Sequence, residues 1–192
     1  MKRLCCLMLA VLLVFALGAC AGQSAEEERI QRVMTLALTC PDEELVSLIG
    51  DNVIYPGEGS PQPDAELLEK RQQAEKEYAE HLKTVFTTDD LTESFQETFC
   101  ETGYAAVTYP SVCAQAGMAI SVESVTVELI SESSRRYGYS AEVVITGPDG
   151  EETPYTQEGK VQLSEDSRIS YIDTTALLEL SDIVVRIANG ME

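Results

Sequence analysis

The chain has 192 residues, 33 of them acidic against 13 basic, a formal net charge of −20 and a single histidine. That balance repels nucleic-acid phosphates and anionic lipid headgroups, so neither is expected as a partner. One imidazole excludes a multi-histidine metal site and leaves at most one residue for Ser-His-Asp or Cys-His chemistry. Cations or a basic protein are the complementary partners, and a solubilising exterior is the plainer role for the charge.

Met1, Lys2 and Arg3 form a short positive region, Leu4 to Leu17 carries no charge, and the small residues Gly18 and Ala19 follow. This is the layout of a secretory signal, too short for a comfortable transmembrane span. Leu17-Gly18-Ala19-Cys20 resembles the bacterial lipobox, whose cysteine is lipidated and becomes the first mature residue. The resemblance implies a diacylglyceryl anchor on Cys20, and two or more acyl chains anchor stably. The alternative is an ordinary signal cut near Ala19 that leaves Cys20 free. The expected organisation is a leader over 1–19, a flexible tether over 20–25 and one domain over 26–192, held at the extracytoplasmic side of a cell membrane. Loss of Lys2 and Arg3 with the leader takes the mature charge to about −22.

Ser24-x-x-Glu27 is a capping box, and Glu26, Glu27 and Glu28 suit the positive end of a helix dipole. Ile30, Val33, Met34, Ala37 and Leu38 then recur at helical spacing and define one apolar face. Pro41 suits the first position of a second short helix, with Leu45, Leu48 and Ile49 on its apolar side and Gly50 at its end. Asp51 to Tyr55 is brief and β-prone, and Pro56 to Pro63 ends it. A long polar helix is predicted from about Asp64 to Phe86, with a narrow stripe of Leu67, Leu68, Ala74, Tyr78, Leu82, Val85 and Phe86. His81 sits at the edge of that stripe, three residues after Tyr78. Thr87 to Asp90 suits the cap of another short helix through Phe95 to Phe99. Cys100 to Met118 has no clear periodicity and is expected to be mostly loop.

Ala119 to Ile172 carries the sheet. Ile120 and Val122 alternate on even numbers whereas Val125, Val127 and Leu129 alternate on odd ones, and this change of phase implies a bulge near Glu123 and Ser124. After a turn over Ser131 to Arg136, Tyr137, Tyr139, Ala141, Val143 and Ile145 share an inward face. Pro148-Asp149-Gly150 makes a hairpin turn. Tyr155, Val161 and Leu163 belong to the third long strand, and Gly159 inside it suggests a bend. Past the turn at Glu165-Asp166-Ser167, Ile169 and Tyr171 are expected to share one face of a last strand. Leu177 to Ile187 is apolar and reads as a helix or a final strand.

This order of elements, ending in a bent antiparallel meander, resembles the NTF2-like (cystatin-like) α+β fold over about Glu26 to Thr175. The resemblance implies N-terminal helices packed on a curved antiparallel sheet that wraps a long helix and leaves a cone-shaped cavity. The extra segment from Thr87 to Met118 departs from that pattern. Enzymes of the family, such as ketosteroid isomerases and polyketide cyclases, place an acid or histidine inside the cone, where burial raises a carboxyl pKa. Here Asp51 is the best acid candidate. The aromatic set Tyr137, Tyr139, Tyr155 and Tyr171 would line a pocket for a small amphipathic ligand, or else fill the core.

Cys5 and Cys6 leave with the leader, so Cys40, Cys100 and Cys113 remain. An exported chain permits a disulfide, and Cys100 with Cys113, flanking a short irregular stretch, is the expected pair. No spacing matches a zinc site or a twelve-residue calcium loop, and no phosphate- or dinucleotide-binding signature occurs, so no metal or cofactor is expected. The expected function is binding, of a small apolar ligand or of an envelope protein. An isomerase, cyclase or hydrolase using Asp51 or the tyrosines is the alternative, and an accessory subunit with a purely structural role is a third.

Overall fold

A computed structural model describes residues 24–50, 65–104 and 108–191. In chain order the elements are α1 (Ala25–Leu38), α2 (Glu43–Gly50), α3 (Ala65–Val85), α4 (Glu93–Thr98), a π-helical turn (Phe99–Gly103), α5 (Tyr109–Ala116), strands β1 (Ala119–Ser131), β2 (Arg136–Thr146), β3 (Glu152–Leu163) and β4 (Ile169–Ile172), and α6 (Thr174–Ala188). The four strands form one antiparallel sheet in the order β1-β2-β3-β4. The fold is therefore α+β, with a curved sheet.

Curvature follows from three irregularities in the ladder. The change of phase in β1 is a real bulge, because Val122 pairs with Val143 while Ser124 pairs with Glu142. A second lies between Leu129 and Ser131, and a third between Gln162 and Leu163. An extra residue on one strand bends it and increases its twist. Gly159 is different: β3 runs past it in unbroken register with β2, Tyr139 opposite Gly159. Its missing side chain is filled by an aromatic ring, since a Cβ there would lie 2.5 Å from the Tyr139 hydroxyl. Glycine is needed for that close approach and not for a bend.

The helices cover the face on which Tyr137, Tyr139, Ala141, Val143 and Ile145 are buried. α1 lies across β1 and β2, and its capping box forms with Ser24 and Glu27 as the sequence implies. All five residues of its predicted apolar face are buried. α6 packs on α5 and β3, burying Leu177, Leu180 and Val184. The apolar tail is thus a helix of 15 residues, capped by Asp173.

Several expectations are corrected. α2 begins after Asp42, whose Oδ1 accepts from the Glu44 and Leu45 amides; Asp42 and not Pro41 opens the helix. The loop expected from Cys100 to Met118 contains α5, with Pro110 in its first turn and Gly117 closing it at φ 68°. In β4, Ile169 and Ile172 are buried while Tyr171 is 48% exposed, so Ile169 and Tyr171 do not share a face. The bulge opposite Gln162 and Leu163 flips the alternation. α3 does not lie on the sheet as the family pattern implied: it packs chiefly on α2 and the π turn, and Leu68 near its start is 43% exposed. The predicted strand at Asp51 to Tyr55 lies outside the described residues. Among the described residues no helix is long and apolar enough to cross a membrane.

Candidate functional site

The four tyrosines that the meander places in sequence do not converge on one cavity. Tyr137 donates its hydroxyl to the Glu26 carboxylate, which also accepts from Arg135 and, at 2.7 Å, from the Ser167 hydroxyl. This cluster ties the start of α1 to two hairpin turns. The Tyr137 bond, then Ser167 and Arg135, hold the Glu26 carboxyl below its ordinary pKa despite partial burial, and burial and Glu26 push the Tyr137 hydroxyl up to about 12. Tyr155, half-buried, has its hydroxyl pKa raised by burial and by Glu179 and Glu158. Tyr171 projects into solvent. Asp51 lies outside the described residues.

Tyr139 alone of the set borders an open groove of about 620 Å³. Its ring crosses Gly159, and burial raises its hydroxyl pKa. Its Oη and the Gln157 Oε1 are both buried, and neither has a well-aligned hydrogen-bond partner. Around the groove stand Glu128, Glu158, Lys160, Asp173 and Glu179. The register explains the assembly: Glu128, Gly138 and Lys160 form one cross-strand row, and Thr126, Ser140 and Glu158 form the next. α6 follows because the Asp173 amide donates to the Lys160 carbonyl at 2.9 Å, which sets the helix start, with Asp173 and Glu179, against β3. Four carboxylates against one ammonium make a concave, anionic surface. Field lines concentrate in such a cleft and favour a cation.

Two carboxylates were not legible as special. Asp90, expected as a cap residue, is buried at 7% exposure between β4 and α1. Arg32 binds it through two guanidinium nitrogens and Arg29 approaches it at 3.4 Å, so the buried charge is neutralised. The second is Asp42, whose Oδ2 lies 2.9 Å from His81 Nε2 while Tyr78 stacks on the imidazole. His81, a helix histidine by sequence, thus has a carboxylate partner 39 residues earlier. An oriented imidazole is half of a general-base arrangement, but among the described residues no hydrogen bond engages its other ring nitrogen.

The structure has no bond between Cys100 and Cys113, the expected pair. Cys40, Cys100 and Cys113 are all buried free thiols, and Cys113 has Cys40 as its thiol neighbour. The reason is that α5 is a helix and not a loop, and the Tyr109 hydroxyl in its first turn donates to the Ala37 carbonyl near the end of α1. The interacting Cys113 thiol and then burial push the Cys40 thiol far above its usual pKa, and burial lifts Cys100 to about 11. These are unreactive groups in the folded state. Among the described residues no cluster of three or more metal-ligating side chains occurs.

Compared with family models, curated proteins and solved structures, the chain matches none of them.

Proposed function

We propose that this protein is a lipid-anchored extracytoplasmic interaction module, tethered through Cys20, that uses the groove beside Tyr139 to hold a basic segment of another envelope protein. The observation that carries the reading is the groove's lining, in which Glu128, Glu158, Asp173 and Glu179 outnumber Lys160. A cleft so charged suits a cationic chain better than the small apolar ligand implied by an NTF2-like cone. The NTF2-like relationship belongs to the same reading: the bulged antiparallel sheet with α1 laid on one face supports it, and the placement of α3 departs from it. The tether rests on the Leu17-to-Cys20 motif at the end of an uncharged run.

The test places a photo-crosslinking amino acid at Thr175, which lines the groove, or at Leu178, exposed on the same helix but outside the lining. In intact cells the Thr175 position is expected to form an adduct with an envelope protein and Leu178 none, and Cys20→Ala is expected to leave the membrane fraction. Equal adducts at both positions, or at neither, would count against the groove. A Cys20→Ala protein that stays membrane-bound and still runs as a processed form would remove the anchor.

A further inference from the structure

Two residues far apart in sequence meet where α1 runs out and β1 begins. Cys40 pairs with Ile120 through both backbone bonds, its amide donating to the Ile120 carbonyl at 3.1 Å and its carbonyl accepting from the Ile120 amide at 2.9 Å. Cys113 is held to the same lead-in, since its carbonyl accepts from the Met118 amide at 2.9 Å. A separate tie fixes the spacing of the two segments: Tyr109, one turn before Cys113, donates its hydroxyl to the carbonyl of Ala37, three residues before Cys40. Tyr104 donates to that same carbonyl at 2.8 Å. Between these ties the Cys40 and Cys113 side chains interact with each other, at 3% and 0% exposure.

We propose that Cys40 and Cys113 are a disulfide-forming pair that joins the end of α1 to α5, closed by a low-molecular-weight disulfide while the chain folds, with Cys100 left as the unpaired thiol. The inference does not depend on the groove reading. In the exchange, the thiolate of one cysteine attacks a sulfur of the disulfide, forming a mixed protein disulfide and releasing one small thiolate. The second cysteine's thiolate attacks the protein sulfur of that bond and expels the other small thiolate. The two protons leaving the cysteines go to the two released thiolates. The protein dithiol is oxidised by two electrons and the small disulfide is reduced to two thiols. Burial dictates the timing, because neither sulfur is open to a reagent once α1 and α5 have docked.

The experiment uses the full-length protein carrying Cys100→Ala together with Cys5→Ala, Cys6→Ala and Cys20→Ala, which leaves Cys40 and Cys113 as its two cysteines and makes the linkage unambiguous. It is denatured, reduced, and refolded with glutathione disulfide, then blocked, digested and mapped by mass spectrometry without reduction. The expected result is a linked peptide joining Cys40 to Cys113, and a melting temperature that falls when the refolded protein is reduced. The same digest of wild-type protein is expected to carry that link with Cys100 alkylated. Refolded Cys100→Ala protein with a native near-ultraviolet spectrum but with Cys40 and Cys113 both alkylated, or held only as mixed glutathione disulfides, would overturn the proposal. So would a wild-type digest in which Cys100 is linked to either partner.

Discussion

Glu26 sits in the first turn of α1, where a carboxylate is already favoured by the helix dipole, and it gathers Tyr137, Arg135 and Ser167 from the sheet side. Its folded pKa is lower than the ordinary 4.5. The stabilisation it contributes is therefore complete above that value and fades as pH falls through the lower folded one. Tyr137 has the opposite sign: raised to about 12, it contributes below its ordinary value of 10 and loses that contribution as pH climbs toward 12. Glu26→Gln is expected to cost about 1 kcal/mol at neutral pH and to flatten both the acid limb and the alkaline limb of stability. Urea unfolding across pH checks this, and an unchanged acid limb would remove Glu26 from the account. The tyrosine was legible as inward-facing from strand alternation. Its partner was not, because nothing in a first-turn glutamate distinguishes a dipole residue from one that reaches a strand 111 positions later.

Elements were legible where their pattern was long enough to carry a phase. The five apolar residues of α1 at helical spacing all proved buried, and 13 residues of β1 were enough to reveal the bulge near Glu123. β4 has four residues, so its own bulge leaves no alternation to break, and Tyr171 was assigned the wrong face. α5 spans eight residues with weak amphipathicity, yet its boundaries were written in Pro110 and Gly117. Without α5, nearness in sequence sets Cys113 beside Cys100, whereas its thiol neighbour in the fold is Cys40. Gly117 adopts φ 68° with no atom within 4 Å of a built Cβ, so the cost of a side chain there is conformational alone. Gly117→Ala is expected to lower stability by about 1 kcal/mol, whereas Gly117→Asn, which tolerates the left-handed region, is expected to recover part of it. Thermal unfolding of the two variants decides, and equal stability of Gly117→Ala and the parent would show that the helix ends without that cap.

For the whole molecule, charge was readable from composition but its arrangement was not. The groove draws Glu128 from β1, Glu158 and Lys160 from β3, Asp173 from the cap of α6 and Glu179 from within that helix, and only the β1–β2–β3 register and the Asp173–Lys160 backbone bond set them side by side. The sequence points to one inward acid on the tyrosine-lined face, whereas Glu128 and Glu158 alternate onto the opposite face of the sheet. A net charge of −20 gives any polycation a diffuse attraction, screened beyond about 8 Å at physiological salt, so the claim that the groove is a binding site must be separated from that background. The direct measurement is calorimetric titration of the purified protein with a decalysine peptide at physiological ionic strength, beside Glu158→Lys/Glu179→Lys and, as a matched change of charge, Glu132→Lys/Glu151→Lys outside the groove. The account predicts saturable binding that the groove pair weakens at least tenfold while the matched pair weakens it only slightly. Equal weakening by the two pairs, or no saturable binding to the parent protein, would contradict it.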